Sequence, residues 1–311
     1  GAPDGDGAPD GDGAPDGDGA PDGDTNDAPV AAGDTFRLPE ETISLATNVL
    51  ADNGNGADSD PDGDNLIVSA VNGDSDNVGS QLTLASGASI TINPDGSFTY
   101  DTPEVFDSTD TVNYTVSDGN GGTDTATVTF APATESEDVS LGDGDVRLTV
   151  ERQLFGQENG QSIDLGEGDN SLIVRLGDSP GDSVPAGRIE NLKFAANDPA
   201  IEGLDTLEID GDLFFGGFKT LSTDGIEPSE IVFSGKVIAM NPIRGVSIRD
   251  FNGDKITFEG ESDTVSNGKT FYVNTPESQG DLSIDFEQGF VSVIAAQNVT
   301  DLTINGGDDN I

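Results

Sequence analysis

Apolar residues recur at every second position in several short runs of this chain. Within 111–116 they are Val112, Tyr114 and Val116, and within 125–130 they are Ala126, Val128 and Phe130. Side chains alternate across a strand, so each run is expected to bury one face and wet the other. Shorter runs predict strands at 35–38, 66–71, 81–84, 89–92 and 97–100. Asn93-Pro94-Asp95-Gly96 predicts a tight turn between the last two. About seven short strands in roughly 100 residues fit a β-sandwich over 25–132.

Residues 133–139, with Glu135, Glu137 and Asp138, read as a linker. Beyond it, apolar runs at 171–174, 229–233, 246–248, 255–258, 290–294 and 302–304 are separated by Gly, Asp and Asn turns. No amphipathic helix of useful length is legible. The predicted class is all-β, with 140–311 as a second β-rich domain. Short strands with Gly-Asp corners point to a β-solenoid, while the uneven period leaves a second sandwich open. Residues 1–24 are four copies of Gly-Ala-Pro-Asp-Gly-Asp. They hold no side chain able to form a core, and their glycine spacing breaks the collagen triplet. An extended, self-repelling linker that calcium would stiffen is expected there.

Charge sharpens this picture. The 311 residues carry 60 Asp+Glu against 12 Lys+Arg, a formal net charge of -48. Such a chain repels itself when compact, and divalent cations or high external salt would offset the repulsion. Nucleic acid and anionic membrane are excluded as partners for want of a basic face. There is no run of transmembrane length, so membrane insertion is not expected. The first residue falls inside a repeat and 306–311 resemble the opening of another, so a segment of a longer polypeptide is expected.

Cysteine and histidine are absent. That removes disulfides, Ser-His-Asp and Cys-His catalysis and the usual zinc ligands. No phosphate-cradling Gly-x-x-x-x-Gly-Lys-Ser/Thr loop is present. Tryptophan is absent and there are 3 Tyr, which argues against a sugar-stacking cleft. Binding and assembly are expected, not an enzyme.

The sharpest motif is Asp58-Ser59-Asp60-Pro61-Asp62-Gly63-Asp64, with four carboxylates at every second position. Calcium takes six to eight oxygens at about 2.3–2.6 Å, and a tight acidic loop supplies several from one segment. Four aspartates with no basic neighbour otherwise repel one another. The loop is not an EF-hand: its twelfth position is Ser69 where a bidentate Glu is required, and Pro61 sits inside it. Two further segments are candidates to complete a calcium site. One is Thr25-Asn26-Asp27-Ala28-Pro29. The other runs from Asp118 to Asp124 and reads equally as a glycine-rich hairpin turn. Glu40 and Glu41 follow the first strand.

Several motifs occur in a fixed order: Asn26-Asp27-Ala28-Pro29-Val30, Asn48-Val49-Leu50 ahead of the acidic loop, Asn93-Pro94-Asp95-Gly96-Ser97-Phe98-Thr99-Tyr100, and Val112-Asn113-Tyr114-Thr115-Val116-Ser117-Asp118-Gly119. In these, residues 26–130 resemble the bacterial cadherin-like, immunoglobulin-like tandem repeat of large RTX-type secreted adhesins. The resemblance implies an immunoglobulin-like sandwich with calcium at a domain junction. By carry-over it implies Asp27, Glu41, Asp58, Asp60, Asp62 and Asp118 as ligands. The insertion Asn53-Gly54-Asn55-Gly56-Ala57 departs from the family pattern. Leu141-Gly142-Asp143-Gly144-Asp145 and Leu165-Gly166-Glu167-Gly168-Asp169 resemble the RTX calcium repeat, as does 307–311; ordinary Gly/Asp turns read as well. The RTX likeness implies type I secretion to the cell surface or medium.

The expected function is a calcium-binding adhesin or spacer module, giving calcium-dependent rigidity and adhesion. Its partners would be neighbouring repeats, further copies of itself, or a surface or matrix polysaccharide. A self-assembling subunit of a surface layer or matrix fibre is the first alternative, and a virion fibre or decoration protein the second. Phe214, Phe215 and Phe218 lie close together as a subunit contact or as buried core.

Overall fold

The computed structural model describes residues 26–134, 137–151, 162–176 and 183–184, and between 200 and 306 the strands with some of their turns. The hexapeptide repeats, Glu135, 307–311, and the side chains of Phe214, Phe215 and Phe218 lie outside the described residues. The described residues contain β-strands and one short 3-10 turn, and no α-helix. No helix among them is long and apolar enough to cross a membrane.

The first eight strands are β1 (Asp34–Leu38), β2 (Thr42–Asn48), β3 (Ile67–Val71), β4 (Leu82–Thr83), β5 (Ser89–Ile92), β6 (Ser97–Asp101), β7 (Asp110–Ser117) and β8 (Thr123–Pro132). They form a sandwich. One sheet has the order β1-β8-β7-β3, and the other contains β2-β6-β5-β4. Alternation explains the pairing of faces: β7 reads buried at Val112, Tyr114 and Val116, as its period of two requires. Between the sheets Phe36, Phe98 and Phe130 meet with ring centroids 5.4–5.6 Å apart, and Tyr100 stacks on Phe130 at 3.9 Å. The Tyr100 hydroxyl donates to Asp110 Oδ2 at 2.8 Å, which pairs the one polar tip inside this aromatic group.

Strand β2 is absent from the alternation-based expectation, and the reason is local. Its buried positions are Thr42, Leu45 and Thr47, and its register slips opposite Thr149/Val150. A bulged strand that buries threonine shows no clean apolar period.

The second half is a parallel β-solenoid, which rules out the second sandwich. Its strands are β9 (Val139–Ser140), β10 (Arg147–Glu151), β11 (Ser162–Asp164), β12 (Ser171–Arg175), β13 (Ser183–Val184), β14 (Ala200–Glu202), β15 (Thr206–Asp210), β16 (Asp212–Phe215) and β17 (Phe218–Ser222), followed by β18 (Glu230–Phe233), β19 (Val237–Ala239), β20 (Ile243–Arg249), β21 (Lys255–Phe258), β22 (Ser262–Asp263), β23 (Thr270–Thr275), β24 (Gly280–Phe286), β25 (Val293–Ala296) and β26 (Val299–Gly306). One face stacks β10-β12-β15-β18-β21-β24-β26, and the others stack β9-β11-β14, β13-β16-β19-β22 and β17-β20-β23-β25. Each solenoid strand pairs in parallel with the next rung, as a coil requires. Leu148 aligns with Leu172 and Leu172 with Leu207, so the rungs differ in length. That is why the sequence period is poorly kept.

The two halves are not beads on a string. Strand β10 pairs antiparallel with β2, so half the sandwich and one face of the solenoid are a single 11-stranded sheet. One buried row crosses it: Ile90, Tyr100, Leu45, Leu148, Leu172, Leu207, Ile231, Ile256 and Ile284, each 0–1% exposed. The expected linker is correspondingly short: Val139 is already buried in β9, and Glu137 pairs with Arg37 at 3.0 Å.

The outer face of this sheet carries cross-rung ion pairs, Arg147–Glu208 at 2.9 Å, Arg175–Asp210 at 3.2 Å and Lys255–Glu230 at 3.0 Å. The sandwich, by contrast, has eighteen carboxylates and Arg37 alone as a base between residues 26 and 132.

Candidate cation-binding loops at one pole of the sandwich

The chain enters the sandwich along 26–33, and this entrance segment gathers the acidic loops. Val30 and Ser59 exchange both backbone hydrogen bonds, N to O at 2.8 and 3.0 Å. The Asp27 N–H donates to Asp62 Oδ2 at 2.6 Å, the Ala32 N–H to Asp58 Oδ1 at 2.6 Å, and the Ala31 N–H to Asp124 Oδ2 at 2.9 Å. Asn26 Nδ2 donates to Asp118 Oδ2 at 2.7 Å, and Asn120 Nδ2 to Asp64 Oδ2 at 2.7 Å. Asp60 Oδ1 accepts from the N–H groups of Asp62 and Asp64, which shapes the loop as an Asx turn. Seven of the eight carboxylates predicted from the sequence, at positions 27, 58, 60, 62, 64, 118 and 124, therefore stand on one connected pole.

Glu41 does not. It lies in the turn after β1, at the opposite end of that strand from Asp34, and its carbonyl accepts the Glu151 N–H at 2.8 Å. Strands β1 and β8 run parallel, so the Asp124 end and the Glu41 end are separated by the strand length. Glu41 belongs to the joint with the solenoid.

The pole also has internal packing demands. A Cβ on Gly122 would come within 2.1 Å of Asp118 Oδ2 and 2.8 Å of Ala28 Cα. Asp118 is buried and is held below the ordinary carboxylate range, first by Asn26 and then by the Asn120 and Gly122 N–H groups. Asp58 goes the other way. Burial raises its carboxyl, the Ala32 N–H offsets part of the rise, and the Asp124 charge adds to it. The Tyr114 hydroxyl has one proton, and its nearest acceptor is Ala32 O at 2.6 Å. Asp58 Oδ1, 3.4 Å from the same hydroxyl, gains little from it.

Could these residues take a hard cation? Among the described residues no group of three or more carboxylates is gathered so as to hold a metal ion. Most loop carboxylates instead spend one oxygen on a backbone N–H. Yet Asp58 Oδ2 and Asp60 Oδ2 are buried and lack any hydrogen-bond partner. An acceptor with no donor is costly to bury, so the donor set fits a cation at this pole.

Residues 26–131 match the bacterial Ig domain family. Bacterial Ig-like domains are typically modules of extracellular and surface proteins, and the all-β sandwich agrees with that match. No curated protein matches the chain.

Two of the RTX-like segments, 141–145 and 165–169, lie beyond residues 26–131 on the solenoid's first corners, and they stack; 307–311 lies outside the described residues. Arg147 is in register with Ser171, which places 141–148 directly on 165–172. The corner is tied by side chains: buried Asn170 accepts the Val146 N–H at 2.9 Å and donates to the Gly166 and Gly203 carbonyls at 3.0 and 2.9 Å. Asp145 Oδ1 accepts the Asp169 N–H at 3.0 Å. An asparagine amide thus joins three rungs at a place where the RTX likeness implies ion binding.

One residue of the bacterial Ig domain escaped the sequence reading altogether. Asp34 opens β1, is 1% exposed, and has neither oxygen hydrogen-bonded. Burial pushes its carboxyl up to about 7, and Asp58 and Asp52 add to the rise; the nearby Asn53 amide offsets part of it without reaching hydrogen-bond geometry, its Nδ2 being turned to the Asn48 and Ala51 carbonyls. The only available signal was an Asp at a strand position whose period faces inward, alongside Phe36 and Leu38. The folded value lies above the ordinary 3.8. The native state therefore holds this proton more tightly, and the stability it brings is full below about pH 4 and lost as pH rises to about 7. In chelator, wild-type stability is expected to fall relative to Asp34→Asn by a few kcal/mol across that window and then level off. Denaturant titrations at stepped pH check this, and parallel curves for the two proteins would refute it.

Proposed function

We propose that the chain is a non-catalytic, calcium-dependent structural module of a bacterial surface or secreted protein, of the adhesin or spacer kind. Calcium at the acidic pole closes the entrance segment onto the 58–64 and 118–124 loops, and the solenoid continues the module as a stiff extension. One observation carries the reading: seven carboxylates share a pole of a sandwich whose one base, Arg37, is paired with Glu137, and buried Asp58 and Asp60 oxygens there lack a donor. A type I route of export and a surface or matrix polysaccharide as ligand belong to the same proposal. So do neighbouring repeats or further copies as mechanical partners.

The test is a thermal melt of the full chain in millimolar calcium and in chelator. Calcium at about a hundred times its Kd stabilises by about 2.7 kcal/mol, which for a fold of this size lowers Tm by roughly 5–10 °C on removal. Asp60→Asn with Asp62→Asn is expected to abolish most of that shift. An identical melt with and without calcium would remove the proposal.

A further inference from the structure

The Asn53-Gly54-Asn55-Gly56-Ala57 insertion has a structural role of its own. It roofs Asp34. Asn55 Nδ2 donates to Gly33 O at 2.8 Å, just ahead of Asp34, and Asp52 Oδ1 draws the Gly54 and Gly56 N–H groups in at 3.0 Å each. The roof is clamped from above by the solenoid. The Asp143 N–H donates to Asp52 O at 2.9 Å, and a Cβ on Gly142 would come within 2.5 Å of Asn53 Cα. Asp34 is thus sealed at the joint between the two halves.

The chemistry of this sealed place is one-sided. Both Asp34 oxygens, Asn53 Oδ1 and Asp58 Oδ2 are buried and without a hydrogen-bond partner. Asn53 is itself 7% exposed, and its Nδ2 is spent on the Asn48 and Ala51 carbonyls at 2.9 and 3.3 Å. Asp34 lies within electrostatic reach of Asp58, Asp52 and Tyr114. Burying charge without compensation is expensive, and proteins meet that cost with a retained proton, a counter-charge or a metal; a metal also uses the orphaned Asn53 Oδ1 and Asp58 Oδ2, which a proton on Asp34 leaves unmet. The sandwich's own base, Arg37, is committed to Glu137 at 3.0 Å. Oxygen-only donors of this kind select a hard divalent cation.

We propose that Asp34, Asn53 and the free oxygen of Asp58 hold a hard divalent cation, calcium by its chemistry, beneath the 51–57 roof. This interior site borders the pole only at Asp58 and does not depend on the pole binding calcium. Because the solenoid's first corner presses on the roof, the ion ties the sandwich to the solenoid.

Terbium(III) replaces calcium at oxygen sites and emits when a nearby tyrosine transfers excitation to it. Tyr114 is placed to do so. The probe is Tb3+ with the full chain carrying Asp60→Asn and Asp62→Asn, which disables the pole and leaves the interior. Saturable tyrosine-sensitised emission, displaced by calcium, is expected. Adding Asp34→Asn should weaken Tb3+ binding at least tenfold. Adding Tyr114→Phe should quench the emission yet leave calcium affinity, read by titration calorimetry, unchanged. Absence of sensitised emission in the pole-disabled chain overturns the proposal, as does undiminished binding after Asp34→Asn. If Asp34→Asn fails to fold by circular dichroism, Asn53→Ala decides: several-fold weaker binding supports the site, and unchanged binding overturns it.

Discussion

Leu148→Ala is expected to destabilise sandwich and solenoid together, by about 2–5 kcal/mol. Leu148 is fully buried, and its cross-strand neighbours are Leu45 of β2 on one side and Leu172 of β12 on the other. Truncation leaves a cavity that neither neighbour can fill without breaking the ladder it belongs to. The readout uses the chain's sparse tyrosines. Tyr100 and Tyr114 lie in the sandwich and Tyr272 in the solenoid, so in a Tyr272→Phe background tyrosine signals above about 275 nm, where phenylalanine is silent, report the sandwich alone. A solenoid substitution that shifts the sandwich transition demonstrates the shared sheet. A sandwich transition at its original denaturant midpoint would mean that the halves fold independently.

Gly166→Ala should be costlier. Gly166 sits at φ +80, and an added Cβ would lie 1.5 Å from the Gly142 carbonyl oxygen and 2.5 Å from its carbon. Backbone on backbone cannot give way like a flexible side chain. Gly203 repeats the demand one rung on, with its Cβ 2.4 Å from Gly166 O. The corner would have to open, taking with it the Asn170 bonds that span three rungs. A loss of about 4 kcal/mol or more is expected, in the range reserved for broken packing and strained backbone together. Gly119→Ala is the control. It has a similar φ of +78 but open space around it, so about 1–2 kcal/mol is expected from conformation alone. Equal losses for the two variants in denaturant titration would show that the corner stack contributes nothing.

Both predictions rest on features of unequal visibility in the chain. The sandwich strands with clean alternation, β5, β7 and β8, were legible because one face is buried and one wet, and the pleat writes that directly into residue order. The acidic pole was legible too, since Asp58, Asp60, Asp62 and Asp64 repel unless something intervenes. Less was visible where burial is two-sided or polar. Strand β10 buries Leu148, Thr149 and Val150 in succession because it lies between faces, and so shows no period. Strand β2 hides behind Thr42 and Thr47. These two strands are the ones that join the halves.

The candidate site divides in the same way. Asp118 and Asp27 could be drawn to the loop by motif order, and Asp124 as the end of the same glycine-rich turn. Asp34 and Asn53 could not, because an isolated carboxylate and a turn asparagine carry no pattern; what marks them is the lack of any donor after the roof closes. Glu41 was drawn in by likeness and sits at the wrong end of β1.

Residue order alone was enough to establish an all-β chain, an immunoglobulin-like first part, the absence of His and Cys, and a crowded acidic loop. These are properties of composition and short-range period, which survive without knowing what lies across the core. Coordinates were required for the solenoid, the single sheet through β2 and β10, the exclusion of Glu41 and the sealed Asp34. Each of those depends on which distant segments become neighbours, and pairing energy between distant strands is set by register and shape that no local stretch of sequence encodes.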